Sequence, residues 1–248
     1  MKYQFFYFLI SALIITFLFG CGKKEDQQPK THISYLKAYD IPVDEPSGLD
    51  LTFSERGFWS VSDENSTVYK LDNWGKIEKS FKVKGVDLEG VSVVDEKTLA
   101  VVLERGREIV IVDTSGNELK RISVSLTGEL NNGLEGITYD PVNKKFFVLN
   151  EKNPCLLLTF DENLNELNRD TLNFIKDASG IHFDAKNKLL WILSDESGCV
   201  TKCDLRGSPL QKYYISIAQP EGLTIDAEGK KMYIVSDINN SLYVFSLE

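Results

Sequence analysis

The sequence predicts an all-β fold: a five-bladed β-propeller of four-stranded antiparallel blades, its ring closed by an N-terminal strand. Three observations carry this expectation. A short glycine-centred phrase occurs five times, the same order of strand-like runs follows each copy, and the last copy lacks a strand that the start of the chain can supply.

The phrases are Glu45-Pro46-Ser47-Gly48-Leu49, Asp87-Leu88-Glu89-Gly90-Val91, Gly133-Leu134-Glu135-Gly136-Ile137, Asp177-Ala178-Ser179-Gly180-Ile181 and Gln219-Pro220-Glu221-Gly222-Leu223. Their central glycines stand 42, 46, 44 and 42 residues apart, the period of a four-stranded propeller blade. After Gly48 the chain reads as four strands, Leu49 to Phe53, Phe58 to Ser62, Thr67 to Leu71 and Ile77 to Val83. The second strand recurs as Leu99 to Leu103, Phe146 to Asn150, Leu190 to Ser194 and Met232 to Ser236. These runs are β-branched and aromatic, and turn signals such as Asp72 to Gly75, Thr114 to Gly116 and Asp226 to Gly229 bound them. The last copy ends at Glu248 after three strands, so Ile33 to Tyr39 is expected to pair with the run around Leu242 to Ser246. Such closure leaves only short, protected sheet edges.

Ahead of the repeats, Lys2 precedes an uncharged run from Tyr3 to Gly20 rich in Phe, Leu and Ile, the layout of an export signal. Leu18-Phe19-Gly20-Cys21 resembles the lipobox of bacterial lipoproteins, which implies cleavage before Cys21 and acylation of that residue. An uncleaved single-helix anchor is the alternative. Both place the chain outside the cytoplasm and tied to a membrane. The expected organisation is a signal peptide over 1–20, a lipidated Cys and flexible tether over 21–32, and the propeller over 33–248.

The chain carries a formal charge of −9, and losing Lys2 with the signal makes it −9 − 1 = −10. Nucleic-acid binding rests on Lys and Arg neutralising phosphates, so that class is excluded. The expected partners are the membrane, through the lipid, and a small ligand or another envelope component, with the protein itself a monomer. Cys155, Cys199 and Cys203 are odd in number and read as buried free thiols.

In a meander, the start of the first strand and the end of the second share one end of the blade. Just before the phrase glycine stand Ser47, Glu89, Glu135, Ser179 and Glu221, and where the residue is Ser an acid precedes it by two, at Glu45 and Asp177. At the end of the second strand come Asp63, Glu104, Glu151, Asp195 and Asp237, which follow their glycines by 15, 14, 15, 15 and 15 residues. With the first strand innermost, ten carboxylates ring one mouth of the channel. Crowded like charges raise pKa values or demand counter-cations, and an all-oxygen donor set suits Ca²⁺ or Mg²⁺. The same residue types also cap tight turns. The expected metal ligands are Glu89, Glu135, Glu221 and Asp195. The expected ligand-binding residues are Glu45, Asp63, Glu104, Arg105, Asn132, Glu151, Asp177 and Asp237.

Arg105 and Arg107 are positioned to neutralise the mouth or to hold an anion. His182 stands two residues after Gly180, where the other blades carry Asp50, Ser92, Thr138 and Thr224, and reads as an inter-blade hydrogen-bonding position. No nucleophile elbow, zinc-protease helix or phosphate-binding glycine loop occurs in the sequence.

Together with the phrases that start at Glu45, Asp87, Asn132 and Gln219, Trp59-Ser60-Val61-Ser62-Asp63-Glu64 and Trp191-Ile192-Leu193-Ser194-Asp195-Glu196 resemble the SdiA-regulated family of bacterial envelope propellers, over roughly Ile33 to Glu248. The resemblance implies a propeller in the envelope and leaves the biochemical role open. A second resemblance is to propeller lactonases and gluconolactonases, where a Glu of a Glu-Gly-Pro phrase binds a divalent metal. Here Glu89, Glu135 and Glu221 precede Gly, but Val, Ile or Leu follows in place of Pro. That resemblance implies Asn131, Asn132, Asn150 and Asp195 as further members of a metal shell. The expected function is therefore a non-enzymatic binding or interaction module working through an acidic channel mouth. The alternative is a divalent-metal-dependent esterase or lactonase.

Overall fold

A computed structural model describes residues 30–248; the expected signal peptide and Cys21 lie outside the described residues. The described chain opens with β1 (Thr31–His32) and β2 (Tyr35–Asp40). Blade 1 follows as β3 (Pro46–Leu51), β4 (Phe58–Ser62), β5 (Thr67–Leu71) and β6 (Ile77–Lys82). Blade 2 is β7 (Leu88–Val93), β8 (Thr98–Leu103), β9 (Glu108–Asp113) and β10 (Glu118–Ser123). Blade 3 is β11 (Leu134–Asp140), β12 (Lys145–Asn150), β13 (Leu156–Phe160) and β14 (Glu166–Thr171). Blade 4 is β15 (Gly180–Asp184), β16 (Leu189–Ser194), β17 (Cys199–Cys203) and β18 (Pro209–Tyr214). Blade 5 is β19 (Pro220–Ile225), β20 (Lys231–Ser236) and β21 (Ser241–Ser246), completed by β2.

The protein is thus a five-bladed propeller. β2 runs antiparallel to β21 with Asp40 opposite Ser241 and Tyr35 opposite Phe245, the closure that the missing last strand predicts. One boundary differs from expectation. Thr31 and His32, read as tether, form a strand parallel to β18, so blade 4 has five strands. The physical reason lies in their neighbours. His32 stacks on Tyr214 with ring centroids 5.2 Å apart, the Ile33 amide donates to the Tyr214 carbonyl at 3.0 Å, and Ile33 packs on the apolar layer between blades 4 and 5.

Each blade buries both faces of its middle strands against its neighbours, which is why β8, β12 and β16 are apolar at successive positions and why β4 is buried throughout, its Ser60 and Ser62 included. Five apolar clusters fill the five inter-blade spaces. The residue after each phrase glycine, Leu49, Val91, Ile137, Ile181 or Leu223, points into one of them. The glycines are where the innermost strands come closest. A Cβ on Gly90 would stand 2.5 Å from the Glu135 carbonyl oxygen, and one on Gly180 would stand 2.4 Å from that of Glu221. The recurring phrase therefore requires glycine for close approach of backbone to backbone.

Cys155, Cys199 and Cys203 are free and buried, as their odd number predicts. Cys199 and Cys203 lie at the two ends of β17.

Candidate functional site

The innermost strand of every blade starts at one end of the channel and the second strand returns to it. A basin of about 230 Å³ opens there, lined by Ser47, Asp63, Glu89, Glu135, Glu151, Lys152, Asp177, Ser179, Asp195, Glu196, Glu221 and Asp237. Eight of the ten expected acids are in this lining. Glu104 stands directly behind it: carboxylate oxygens of Glu104, Glu135 and Glu151 lie within 4.8 Å of one another, and Glu104 is buried. This trio joins blades 2 and 3, and differs from the expected set of Glu89, Glu135, Glu221 and Asp195.

Two expected residues stand apart. Glu45 is exposed, with its amide bonded to Asn240 Oδ1 at 3.2 Å. Asn132 caps a loop turn through its amide, which donates to the Glu129 carbonyl at 3.2 Å, and does not reach the basin. Asp177 lines the basin, but it also accepts bonds from the Ser194 hydroxyl and, at 3.1 Å, from the Glu196 amide, which shape the turn after β16. Arg105 turns to the rim, pairing with Asp87 at 2.5 Å and donating to Asn131 Oδ1 at 3.1 Å. Arg107 holds the loop before blade 3, donating to the carbonyls of Leu126, Gly128 and Glu129.

Sequence reasoning missed Lys152 and Glu196. The Lys152 ammonium lies 2.6 Å from Glu151 and 3.4 Å from Glu196, and is the one Lys or Arg in the basin lining. A usable signal existed: Lys152 follows Glu151 as Arg105 follows Glu104, and Glu196 follows Asp195 in the same register.

The electrostatics follow from enclosure. Burial, then the charges of Asp63, Glu104 and Glu221, pushes Glu89 well above the usual carboxylate range. Burial, then Glu89, Glu221, Glu104 and Glu151, does the same to Glu135. Glu221 rises to about 8 through burial and then Asp195, Asp237 and Asp177. Burial lifts Glu104 and Asp63 to about 6 each. Lys152 is held charged by its hydrogen bond to Glu151.

The chain narrows the channel at the phrase glycines, where a cavity of about 10 Å³ remains. Two residues further along the innermost strands lies a polar girdle. Thr224 Oγ1 donates to Asp50 Oδ1 at 3.1 Å and lies 3.3 Å from His182 Nδ1. The Val93 amide donates to Asp50 Oδ2 at 2.8 Å, and the Phe183 amide donates to Thr138 Oγ1 at 3.0 Å. His182 thus has the inter-blade role its position predicts. Burial pushes Asp50 up to about 6 and His182 down to about 4.

The model of the family described as SdiA-regulated matches residues 27–246. The chain belongs to the SdiA-regulated family. Similar solved structures agree on the fold. Myxococcus xanthus glutaminyl cyclase is 10% identical with a TM-score of 0.67, covering 88% of this chain and all (100%) of that one. A chain of the nidogen/laminin complex is 17% identical with a TM-score of 0.61, covering 83% of this chain and 77% of that one. Hydrazine synthase of Kuenenia stuttgartiensis is 16% identical with a TM-score of 0.55, covering 81% and 71% respectively. At these identities the likeness to solved structures is one of fold, and the SdiA-regulated membership is what the comparisons add.

Proposed function

We propose that this SdiA-regulated propeller is an envelope lipoprotein that binds a divalent cation, Ca²⁺ or Mg²⁺, at its acidic mouth and acts as a binding module without catalysis. A cationic or hydroxyl-rich ligand would be held through the same oxygens. The observation that carries the reading is the approach of Glu104, Glu135 and Glu151 within 4.8 Å, at the wall of a basin whose one facing Lys or Arg is Lys152. One ammonium cannot neutralise so many carboxylates, and hard oxygen donors from separate blades suit a hard cation. The test is calorimetric titration of the protein with Ca²⁺ and with Mg²⁺, alongside Glu135→Gln. Heat of binding that weakens in the variant supports the reading, and no heat with either ion at pH 8 refutes it.

A second reading is metal-dependent ester or lactone hydrolysis. It is favoured by Glu221, whose rise to about 8 would keep it a proton donor at neutral pH beside more acidic carboxylates. Turnover of an ester and lactone panel that depends on the metal and falls in Glu221→Gln would select it. The anchor is tested separately: fatty-acid labelling should be lost in Cys21→Ser.

A further inference from the structure

The protein is acidic overall, yet one flank of blade 4 gathers cations onto aromatic rings. Two cation–π contacts lie on the blade's face toward blade 3, and Lys202 makes two more on the opposite face, toward blade 5. Lys30 stands 4.9 Å from the Tyr214 ring, Lys212 5.7 Å from Phe174, and Lys202 4.4 and 6.0 Å from Trp191 and Tyr213. Between blades 3 and 4, a surface cavity of about 390 Å³ is bordered by Phe174, Lys176, Lys212 and Tyr214. The one acid on its border, Glu196, already pairs with Lys152 at 3.4 Å. An ammonium resting on a ring keeps its full charge. Lys212 donates one hydrogen to the Phe174 carbonyl at 3.1 Å, which leaves two of its three for an anion.

The chain enters the propeller at this flank, since β1 lies along β18 and Lys30 is the first described residue. From Cys21 to Lys30 the chain advances nine residues, which reach roughly 30 Å when fully extended. A compact domain of this length is roughly 44 Å across. A chain held in a membrane at Cys21, or by an uncleaved run ending at Gly20, is therefore too short to bring the opposite blades to the bilayer.

We propose that the Lys-aromatic flank of blade 4 is the surface that faces the membrane and contacts the phosphates of anionic lipid headgroups. The proposal rests on the anchored-lipoprotein reading and does not involve the acidic mouth. The occupant follows from chemistry and reach. The Tyr214 ring with Lys30, Lys176 and Lys212 around it suits the headgroup layer, and basic groups near an anionic surface are drawn to it while the remaining surface, carrying net negative charge, is repelled.

The experiment uses the full chain reconstituted into phosphatidylcholine vesicles, with or without phosphatidylglycerol, that carry a nitroxide on a fraction of headgroups. A dye is placed at Ser216→Cys, on the exposed end of this flank, or at Ser115→Cys, an exposed turn of blade 2. The native Cys155, Cys199 and Cys203 are buried and do not compete for label. Severalfold stronger quenching at position 216 is expected, with an excess that grows with phosphatidylglycerol and shrinks in the surface variant Lys30→Gln/Lys176→Gln. Equal quenching at the two positions, or an excess indifferent to anionic lipid, overturns the proposal. Loss of the excess on adding inorganic phosphate at constant ionic strength assigns the cavity to a soluble phosphate and also overturns it. Failure to float with the vesicles overturns the anchor reading and the orientation together, whereas flotation with equal quenching removes only the orientation.

Discussion

Acids stand at both ends of these blades, in opposite physical states. At the end away from the mouth, the turns between third and fourth strands carry Asp72, Asp113, Asp161 and Asp204. Each accepts two backbone amides: Asp161 takes those of Asn163 and Asn165 at 2.9 and 2.8 Å, and Asp113 those of Ser115 and Asn117 at 2.8 and 2.9 Å. Side-chain bonds from Asn165 and Asn117 then lower these two carboxyls below the usual range. At the mouth, donors are few, enclosure is greater, and the carboxyls rise. The same residue type closes a turn where amides converge on it and stores repulsion where other carboxylates do. Acid count alone does not separate the two; the donors facing each oxygen do.

The largest expected effect that tests this contrast is in pH. Glu221 is raised to about 8 in the folded protein from its ordinary 4.5. Its contribution to stability is fully present below pH 4.5 and is lost as the pH rises through 8. Asp50 loses stability over pH 4 to 6 while His182, depressed to about 4, gains it from pH 4 to 6.5. These two offset one another, so a fall above pH 6.5 belongs to the mouth. Denaturant unfolding without divalent ions should show stability dropping by a few kcal/mol, on the order of 1.4 per pKa unit, between pH 6.5 and 8.5. Saturating Ca²⁺ should remove most of that drop. A flat profile would mean that the mouth acids are as well satisfied as the turn acids.

A smaller effect is expected at Lys152, the resident counter-charge of the basin. Lys152→Gln should tighten Ca²⁺ by about tenfold, worth about 1.4 kcal/mol, because an incoming ion would no longer compete with an ammonium 2.6 Å from Glu151. Calorimetric titration at two salt concentrations checks this, and unchanged affinity would place the ion away from Glu151. The smallest effect belongs to the other end. Asp161→Ala should lower the melting temperature by a few degrees at neutral pH through loss of its two amide bonds, and leave the calcium response as in the unaltered protein. A changed calcium response there would break the division between structural and mouth acids.

The sequence by itself determined the blade number, the N-terminal closure and the end of each blade at which acids gather. These follow from short-range spacing: a glycine needed where inner strands touch, strand length, and the two-strand return that brings a residue about 15 positions later to the same end. Only the tertiary structure decided which acids meet. Glu104, Glu135 and Glu151 come from two blades, and their approach within 4.8 Å depends on blade packing and side-chain rotamers that no local period encodes. The same holds for Lys152 bridging Glu151 and Glu196 across blades 3 and 4, and for Asn132 remaining outside the basin. It holds too for β1, where two polar residues became a strand because Tyr214 offered a ring and an open edge. Local pattern sets strand direction and register; contacts between blades are set by how rigid sheets pack, and that is settled only when the ring closes.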